Sequence, residues 1–346
     1  MNTLLSPFMD RYGRAVRYIR LSVTDRCNLR CTYCRSGMET FIPHESILRY
    51  EEMEQLVALA VEQGVRKVRL TGGEPFARKG FVSFLERLRR AHPDLDIRIT
   101  TNGTLLSPHI LALKELGLGA INLSLDTFNR KTFERITGRD LLFRVLESVE
   151  LLLAAKIPFK INTVAMRGVN DTELPAFLDF AMSNAVDVRF IEFMPMGEGT
   201  RWTEGLFWSA SALLEAAQKL VRVTPVDTPA HNSGPARLYD LAPLVSAPSC
   251  ASLSEHKGRL GLISPLSSHF CATCNRLRFT SEGALRTCLF DDREYRLRAA
   301  LRHPRLGIDA VRRIIALATR DKPIGAHILE QRNTAVAQRR MTAIGG

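Results

Sequence analysis

The sequence predicts a mixed α/β fold in which parallel strands alternate with helices. Six short apolar, β-branched runs recur over the first two thirds of the chain, and helix-like segments separate them. This alternation is typical of a parallel sheet with right-handed crossovers. Periodicity leaves two forms open, a doubly wound sheet and a partial barrel of six βα units. In both forms the chemistry lies at the carboxyl ends of the strands.

The elements follow in order along the chain. The predicted strands are residues 18–23, 67–71, 96–101, 120–125, 159–166 and 187–193. An apolar period of 3.6 residues predicts helices over residues 51–63, 80–91, 107–116, 141–155 and 172–183. After about Pro225 the alternation stops, and a stretch rich in Pro, Ser and Ala follows. We therefore predict two domains, residues 1–225 and residues 226–346.

Composition and charge exclude several classes of protein and indicate an anionic partner. The 346 residues are 45% hydrophobic and 24% charged, which excludes disordered, collagen-like and coiled-coil chains. Of the 48 basic residues 39 are Arg, and the formal net charge is +12. Arg suits bidentate binding of phosphate or carboxylate, so a nucleotide, a nucleic acid or a membrane surface all fit the charge. No signal-like segment and no apolar run of about 18 residues is evident, which predicts a cytoplasmic protein.

Three cysteines directly follow the first predicted strand, at the spacing Cys27-x3-Cys31-x2-Cys34. Clustered cysteines in a reducing compartment indicate a metal site. A four-iron cluster held by three thiolates leaves one iron free to bind a small molecule. The alternative is a structural zinc site that His44 completes.

A second set has the spacing Cys271-x2-Cys274-x13-Cys288. This spacing resembles a zinc ribbon that lacks its fourth cysteine, and His269 is a candidate for that position. A second open four-iron cluster is the other interpretation. The seventh cysteine, Cys250, is predicted to be an unligated small side chain.

The first cysteine set and Thr71-Gly72-Gly73-Glu74-Pro75, at the end of the next strand, together resemble the radical S-adenosylmethionine (SAM) superfamily. Within it, the chain is similar nearly end to end to the GTP 3′,8-cyclases of molybdenum cofactor biosynthesis. The similarity is carried by the following segments: residues 20–27, Thr100-Thr101-Asn102-Gly103, residues 122–126, residues 189–194, residues 270–278 and the terminal Gly345-Gly346. Arg35-Ser36 departs from the Met-Pro of many relatives, at positions that do not bind iron.

This resemblance implies an incomplete (β/α)6 TIM-type barrel whose mouth is covered by a C-terminal α+β domain. It implies two [4Fe-4S] clusters, held by Cys27, Cys31 and Cys34 and by Cys271, Cys274 and Cys288. The implied reaction cleaves SAM, removes the hydrogen from C3′ of GTP and joins that carbon to C8 of guanine. The product is (8S)-3′,8-cyclo-7,8-dihydroguanosine 5′-triphosphate. The implied partners are an electron donor and a downstream cyclic pyranopterin monophosphate synthase, and a homodimer is a further expectation.

Matching this chain to the family position by position implies the remaining site residues. The implied SAM contacts are Tyr33, Gly73, Ser124 and Met194. The implied GTP contacts are Arg20, Arg69, Thr100, Lys160, Arg276, Leu277 and Arg278. The implied catalytic residues are Gly345 and Gly346, whose side-chain-free backbone would enter the site. Taken singly, each of these also fits a structural role, such as a core methionine, an outward strand residue or a frayed terminus.

Two other functions remain open at this point. A peptide-modifying radical SAM enzyme with an auxiliary cluster would explain the first cysteine set equally well. A non-enzymatic metal protein that binds nucleic acid through its basic C-terminal region would explain the charge. The region around Arg276 and Arg278 lacks regularly spaced aromatic residues for base stacking, which favours an enzyme.

Overall fold

Strands of one mixed sheet organise the chain. A computed structural model describes residues 8–34, 41–197, 200–227, 234–244, 258–331 and 341–344. The strands of this part are β1 (Tyr18–Ser22), β2 (Lys67–Thr71), β3 (Asp96–Thr101), β4 (Ala120–Ser124), β5 (Phe159–Ala165), β6 (Asp187–Glu192), β7 (Arg222–Pro225), β8 (Ala236–Ala242), β9 (Arg259–Ile263), β10 (Arg276–Phe279), β11 (Ala284–Arg286) and β12 (Tyr295–Arg296).

Helices connect these strands and cover one face of the sheet. They are α1 (Tyr50–Glu62), α2 (Phe81–Ala91), α3 (Ile110–Glu115), α4 (Arg130–Thr137), α5 (Leu142–Ala154), α6 (Leu174–Asn184), α7 (Ala210–Gln218), α8 (Leu297–Arg302), α9 (Gly307–Arg320), α10 (Gly325–Gln331) and α11 (Met341–Ile344). Within the described residues, no helix is long and apolar enough to cross a membrane.

The sheet is open, and its order is β12-β11-β10-β1-β2-β3-β4-β5-β6-β9-β8-β7. Strands β1 to β6 are neighbours in chain order and run parallel. Strand β10 adds in parallel to β1, and β9 adds in parallel to β6. The predicted α/β fold with an incomplete barrel is therefore confirmed. The segments after Pro225 extend both edges of the sheet, which the loss of strand–helix alternation did not reveal.

All five predicted helical segments are helical, with ends shifted by one or two residues. The segment 107–116 begins as a 3-10 turn, Ser107–His109, before α3. Helix α4 was not predicted, although its buried residues Phe133 and Ile136 are spaced by about one helical turn. The side chain of Asn129 accepts a hydrogen bond from the Thr132 N–H at its start, and Gly138 ends it with φ of 66°.

The strand pleat separates an apolar face from a polar face, and this separation positions the site. On β5, Ile161 is buried against the helices, while its neighbours Lys160 and Asn162 point to the other side. Strand β6 alternates in the same way, with Phe190 in the core and Arg189 on the polar side. In the following, the polar face means this concave side of β1 to β6 and β10.

Candidate active site between two cysteine sets

The first cysteine set lies in the loop that leaves the carboxyl end of β1. Cys27, Cys31 and Cys34 are partly exposed, and none of the three forms a disulfide in the described part of the chain. The loop is held against the end of α4, where the Thr32 N–H donates to Ile136 O at 2.8 Å. The Cys34 N–H donates to Cys31 O at 2.9 Å, which folds the last four residues into a turn. The loop backbone thus fixes three thiol-bearing residues at one place.

Gly73 brings the loop after β2 against this cysteine loop. Its N–H donates to Thr24 O at 2.7 Å, and the next N–H, of Glu74, donates to Arg26 O at 2.8 Å. A Cβ at Gly73 would lie 2.2 Å from Arg26 O, so only glycine allows this approach. The described contact is with the cysteine loop itself, and the predicted contact of Gly73 with SAM stays a prediction.

A polar network supports the loop from the end of β3. The Asn102 side-chain amide lies 3.6 Å from Cys27 Sγ and donates to Asn28 Oδ1 at 3.0 Å. Asn28 in turn donates to Thr104 Oγ1 at 2.8 Å. Asn102 and Thr104 were not assigned from sequence, although Asn102 belongs to the Thr100–Gly103 segment that carries the family resemblance. Their amide and hydroxyl groups hold the loop in place.

Tyr33 is anchored to the ends of β4 and β5 through Asp126. Its hydroxyl donates to Asp126 Oδ2 at 2.7 Å, and the Val164 N–H donates to Asp126 Oδ1 at 2.8 Å. Burial raises the pKa of Asp126 to about 6, although both hydrogen bonds oppose this rise. The Tyr33 ring packs edge-on against Phe193, with centroids 6.4 Å apart. Sequence reasoning missed Asp126, whose place beneath the loop depends on this long-range contact.

The four predicted SAM contacts lie at the same end of the sheet as the first cysteine set. Ser124 ends β4, where it pairs with Asn162 of β5. Met194 follows β6, directly after the Phe193 that packs on Tyr33. Because parallel strands end at one edge, Tyr33, Gly73, Ser124 and Met194 all follow or end strands there. The structure therefore brings these positions to one end of the sheet, and their contacts with SAM stay predictions.

The second cysteine set lies at the opposite end of the strands. Cys271 and Cys274 precede β10, which runs parallel to β1, and Cys288 follows the antiparallel β11. One segment faces all three thiols. A Cβ at Gly325 would lie 2.9 Å from Cys288 Sγ and 3.5 Å from Cys271 Sγ. Lys322 Nζ lies 3.5 Å from Cys274 Sγ.

Charge at this second set favours a thiolate at Cys274. Burial raises the pKa of its thiol, but the nearby Lys322 and Arg276 outweigh that effect and lower the pKa overall. Lys322 is itself buried, and its ammonium donates to Thr287 O at 2.7 Å. A thiolate is the form of cysteine that binds iron. Lys322 was not identified from sequence, since it lies 48 residues from Cys274.

The donor chemistry of the two sets fits four-iron clusters. Each set offers three cysteine thiols, the number that binds a four-iron cluster with one iron left open. Over the described ranges, no three His, Cys, Asp or Glu side chains are placed as ligands of a single metal ion.

Six of the seven predicted GTP contacts lie on the polar face between the two cysteine sets, and Leu277 does not. Arg20 is in register with Arg69 on one side and with Arg278 on the other. Thr100, Asn122 and Lys160 are in register across β3, β4 and β5. Register neighbours in a parallel sheet point to the same face.

Leu277 lies off the polar face, and the side chain of Lys160 lies on it but is already paired. Leu277 points to the opposite face and is buried in the apolar core, so only its backbone is available to a ligand. Lys160 already has a partner, because its ammonium donates to Asp187 Oδ2 at 3.0 Å. Arg189, on β6, donates to the same carboxylate oxygen at 3.1 Å.

Several buried polar atoms on this face lack a hydrogen-bond partner within the described residues. In the part of the chain that the structure describes, the following have none: Arg69 Nε, Thr100 Oγ1, Asn122 Oδ1, Asn162 Oδ1 and Arg189 Nε. A buried polar atom without a hydrogen bond costs about 1–3 kcal/mol. That five of them occur on one concave face indicates a site for a polar ligand.

Replacing Glu74 with Gln is expected to reduce the pH dependence of the free energy of unfolding. Burial raises the pKa of Glu74 to about 7, despite hydrogen bonds from Asn102 N, Phe76 N and Thr101 Oγ1. Because the folded pKa lies above the unfolded value of 4.5, this carboxyl contributes stability below pH 4.5 that is lost as the pH rises through 7. The loss amounts to about 3 kcal/mol.

Anaerobic urea unfolding between about pH 4.5 and about pH 7.5 measures this loss. The exposed Glu147→Gln variant is the control, and it should keep the pH dependence of the parent. An unchanged pH dependence in Glu74→Gln would show that the carboxylate is already ionised in the folded chain.

Comparison with known proteins agrees with this geometry. The family model "Radical SAM superfamily" matches residues 21–181, and "Molybdenum Cofactor Synthesis C" matches residues 186–328. A GTP 3′,8-cyclase of Petrotoga mobilis is 38% identical over 98% of this chain and 100% of its own length. A GTP 3′,8-cyclase of Thermodesulfovibrio yellowstonii is 41% identical over 85% of this chain and 88% of its own length.

A solved structure supports the fold. The crystal structure of SuiB from Streptococcus suis bound to S-adenosylmethionine has a TM-score of 0.60 and 14% identity, covering 98% of this chain and 77% of that one. This likeness concerns the fold, whereas the near-full-length cyclase relatives decide between the functions left open above. The match spans both cysteine sets and the polar face between them. The chain belongs to the GTP 3′,8-cyclase family of the radical SAM superfamily.

Proposed function

We propose that this chain cyclises GTP to (8S)-3′,8-cyclo-7,8-dihydroguanosine 5′-triphosphate, the first step of molybdenum cofactor biosynthesis. The observation that carries the proposal is one polar face, rich in Arg and in unpartnered buried polar atoms, between two cysteine sets at opposite strand ends. From Tyr18 to Ser22 a strand spans about 13 Å. A single nucleotide bridges such a distance, so its two ends can meet different groups.

The family uses two [4Fe-4S] clusters and SAM. When bound, these groups would supply the 5′-deoxyadenosyl radical chemistry that removes the C3′ hydrogen and an iron that accepts the guanine. Cys27, Cys31 and Cys34 would hold the first cluster, next to the positions matched to SAM. Cys271, Cys274 and Cys288 would hold the second.

The side chains of the polar face bind and orient the nucleotide. Arg20, Arg69 and Arg278 offer guanidinium groups for charge-assisted hydrogen bonds with phosphate oxygens. Lys160 can bind phosphate as well if it leaves its partner Asp187. Asp187 would still be paired with Arg189. Binding through several strands fixes the ribose relative to both ends of the sheet, and such fixation lowers the entropic part of the barrier.

The C-terminal tail belongs to the same site in this proposal. Gly345 and Gly346 lie outside the described residues, but α11 directly precedes them. Ile344 of α11 is fully buried against Met196 and Phe290, in an apolar cluster that also includes Cys288 and Met194. Ile344, the residue before the two glycines, therefore lies beside the second cysteine set, and we propose that Gly345 and Gly346 complete the reaction site.

The reaction also defines partners. Cleavage of SAM consumes one electron, and conversion of the cyclised nucleotide radical to the 7,8-dihydro product consumes a second electron and a proton. An electron donor must therefore supply two electrons per turnover, and a cyclic pyranopterin monophosphate synthase would consume the product. Among the described residues, the six cysteines of the two sets form no disulfide, which fits a reducing cytoplasm. A homodimer is also compatible with this function.

Anaerobic turnover with SAM, a reductant and 3′-deuterated GTP tests the proposal. We expect the cyclised nucleotide, deuterium in 5′-deoxyadenosine and about eight irons per chain. Deletion of Gly345 and Gly346 should abolish GTP-dependent radical formation without loss of iron. Zinc in place of iron, or no consumption of GTP, would overturn the proposed function, and full turnover by the deletion variant would overturn the role of the tail.

A further inference from the structure

Tyr18, the first residue of β1, lies among the guanidinium groups of the polar face. Its register pairs it with Lys67 on β2 and with Arg276 on β10. Only 8% of its surface is exposed. In the sequence, Tyr18 is only the first residue of an apolar strand, and the pattern of that strand predicts no role in binding.

Three arginines contact the Tyr18 side chain directly. Arg20 Nε donates to its hydroxyl at 3.2 Å. The guanidinium carbons of Arg69 and Arg276 each lie 5.6 Å from the ring centroid, within the range of cation–π attraction. The guanidinium carbon of Arg276 also lies 5.2 Å from the centroid of the Phe270 ring. Two aromatic rings therefore hold Arg276 beside Cys274.

The phenol also compensates charge. Burial raises the pKa of Tyr18, but Arg20, Arg69 and Arg276 outweigh this effect and bring the pKa down to about 7. The charged groups that face Tyr18 are Arg20 on its own strand, Lys67 and Arg69 on β2, and Arg276 and Arg278 on β10. They are all cationic, so a partly ionised phenol reduces their mutual repulsion.

A tyrosine suits this position better than a carboxylate. An Asp or Glu would pair with the guanidinium groups permanently and compete with phosphate for them. Aromatic contact instead leaves donors available, and Arg69 Nε has no hydrogen-bond partner among the described residues.

We propose that Tyr18 is a positioning residue of the nucleotide site, whose ring and hydroxyl hold Arg20, Arg69 and Arg276 ready for GTP. This inference rests on the proposed cyclisation of GTP. Bound GTP supplies its own negative charge, so Tyr18 takes up a proton from solvent when the nucleotide binds. Because that proton becomes scarcer as the pH rises, the affinity for GTP falls above about pH 7.

Two variants of the full, anaerobically reconstituted protein test the inference. Tyr18→Phe keeps the ring, and we expect GTP binding that is a few-fold weaker and that lacks the parent's weakening between about pH 7 and about pH 8.5. GTP titrates identically with both proteins, so the comparison isolates the phenol. Tyr18→Leu also removes the ring, and the Kd and KM for GTP should rise about tenfold or more. At saturating GTP the kcat, and the spectra of both clusters, should match those of the parent.

Tyr239 on β8 is a matched control, because it is also 8% exposed and lies outside the polar face. Tyr239→Leu should leave the Kd for GTP within twofold of the parent. The inference is overturned if Tyr18→Leu binds GTP as tightly as the parent, or if it loses kcat and cluster signals together with binding. If the parent itself does not bind GTP, the proposed function is refuted. If the parent turns over GTP and Tyr18→Leu binds GTP equally well, only the inference about Tyr18 is refuted.

Discussion

Cys34→Ser is expected to abolish turnover and to halve the iron content, from about eight to about four irons per chain. The serine hydroxyl is a poor iron ligand. The first cluster has three protein ligands, and no fourth cysteine in the first set can replace a lost one. Loss of a ligand should reduce activity by well over about 100-fold, since the loss of a residue that merely supports a ligand already costs about 10–100-fold. Anaerobic iron and sulfide analysis and reductive cleavage of SAM measure the effect.

Cys250→Ser is the matched control for this prediction. It removes the seventh cysteine, which falls in neither set of three, and it should keep all the iron and full turnover. Cys274→Ser should instead lose the second cluster and leave the first. Full iron content and turnover in Cys34→Ser would contradict the assignment of the first set.

Gly73→Ala is expected to lower both turnover and stability. The new methyl carbon would lie 2.2 Å from Arg26 O and 2.4 Å from Arg26 C, and neither backbone atom can rotate away. The cysteine loop must therefore shift by about 1 Å, a displacement that can cost about 100-fold in rate when it misplaces reacting groups. Overpacking of this kind also lowers the free energy of unfolding by about 1–3 kcal/mol.

The matched control is Gly205→Ala, where the nearest atom to a new Cβ would be Thr203 Oγ1 at 3.9 Å. This variant should keep parental turnover. The kcat of Gly73→Ala, its urea unfolding and the spectrum of its first cluster should all change together. Parental values for all three in Gly73→Ala would mean that the loop accommodates the methyl group and that the close approach is not required.

Much of the fold could be predicted from the sequence because its signals are local. The strands from Tyr18 to Glu192 appear within one residue of their predicted bounds, since each is a short apolar run between helices with a clear period. The edge strands after Pro225 were not predicted. They are short, and pairs such as β6 with β9 depend on contacts across many residues rather than on a local pattern.

The candidate site also has one part that could be predicted from the sequence and one part that could not. Spacing identified both cysteine sets, and family resemblance added a list of contacts on the polar face. The supporting residues Asp126, Asn102 and Lys322 were missed, because each acts on a cysteine loop through a hydrogen bond with a residue distant in sequence. Asn102 and Asp126 fall in segments that carry the family resemblance, but no neighbouring residue indicates their supporting roles or that of Lys322.

Residue order was therefore sufficient to establish six grouped cysteines, an Arg-rich charge and an α/β chain of the radical SAM type. That the two cysteine sets face each other across one polar surface was decided by the register of β10 against β1. The same register surrounds Tyr18 with arginines from three strands. Spacing records only neighbours along the chain, whereas a sheet joins strands that are hundreds of residues apart, and the packing of the whole core selects that register.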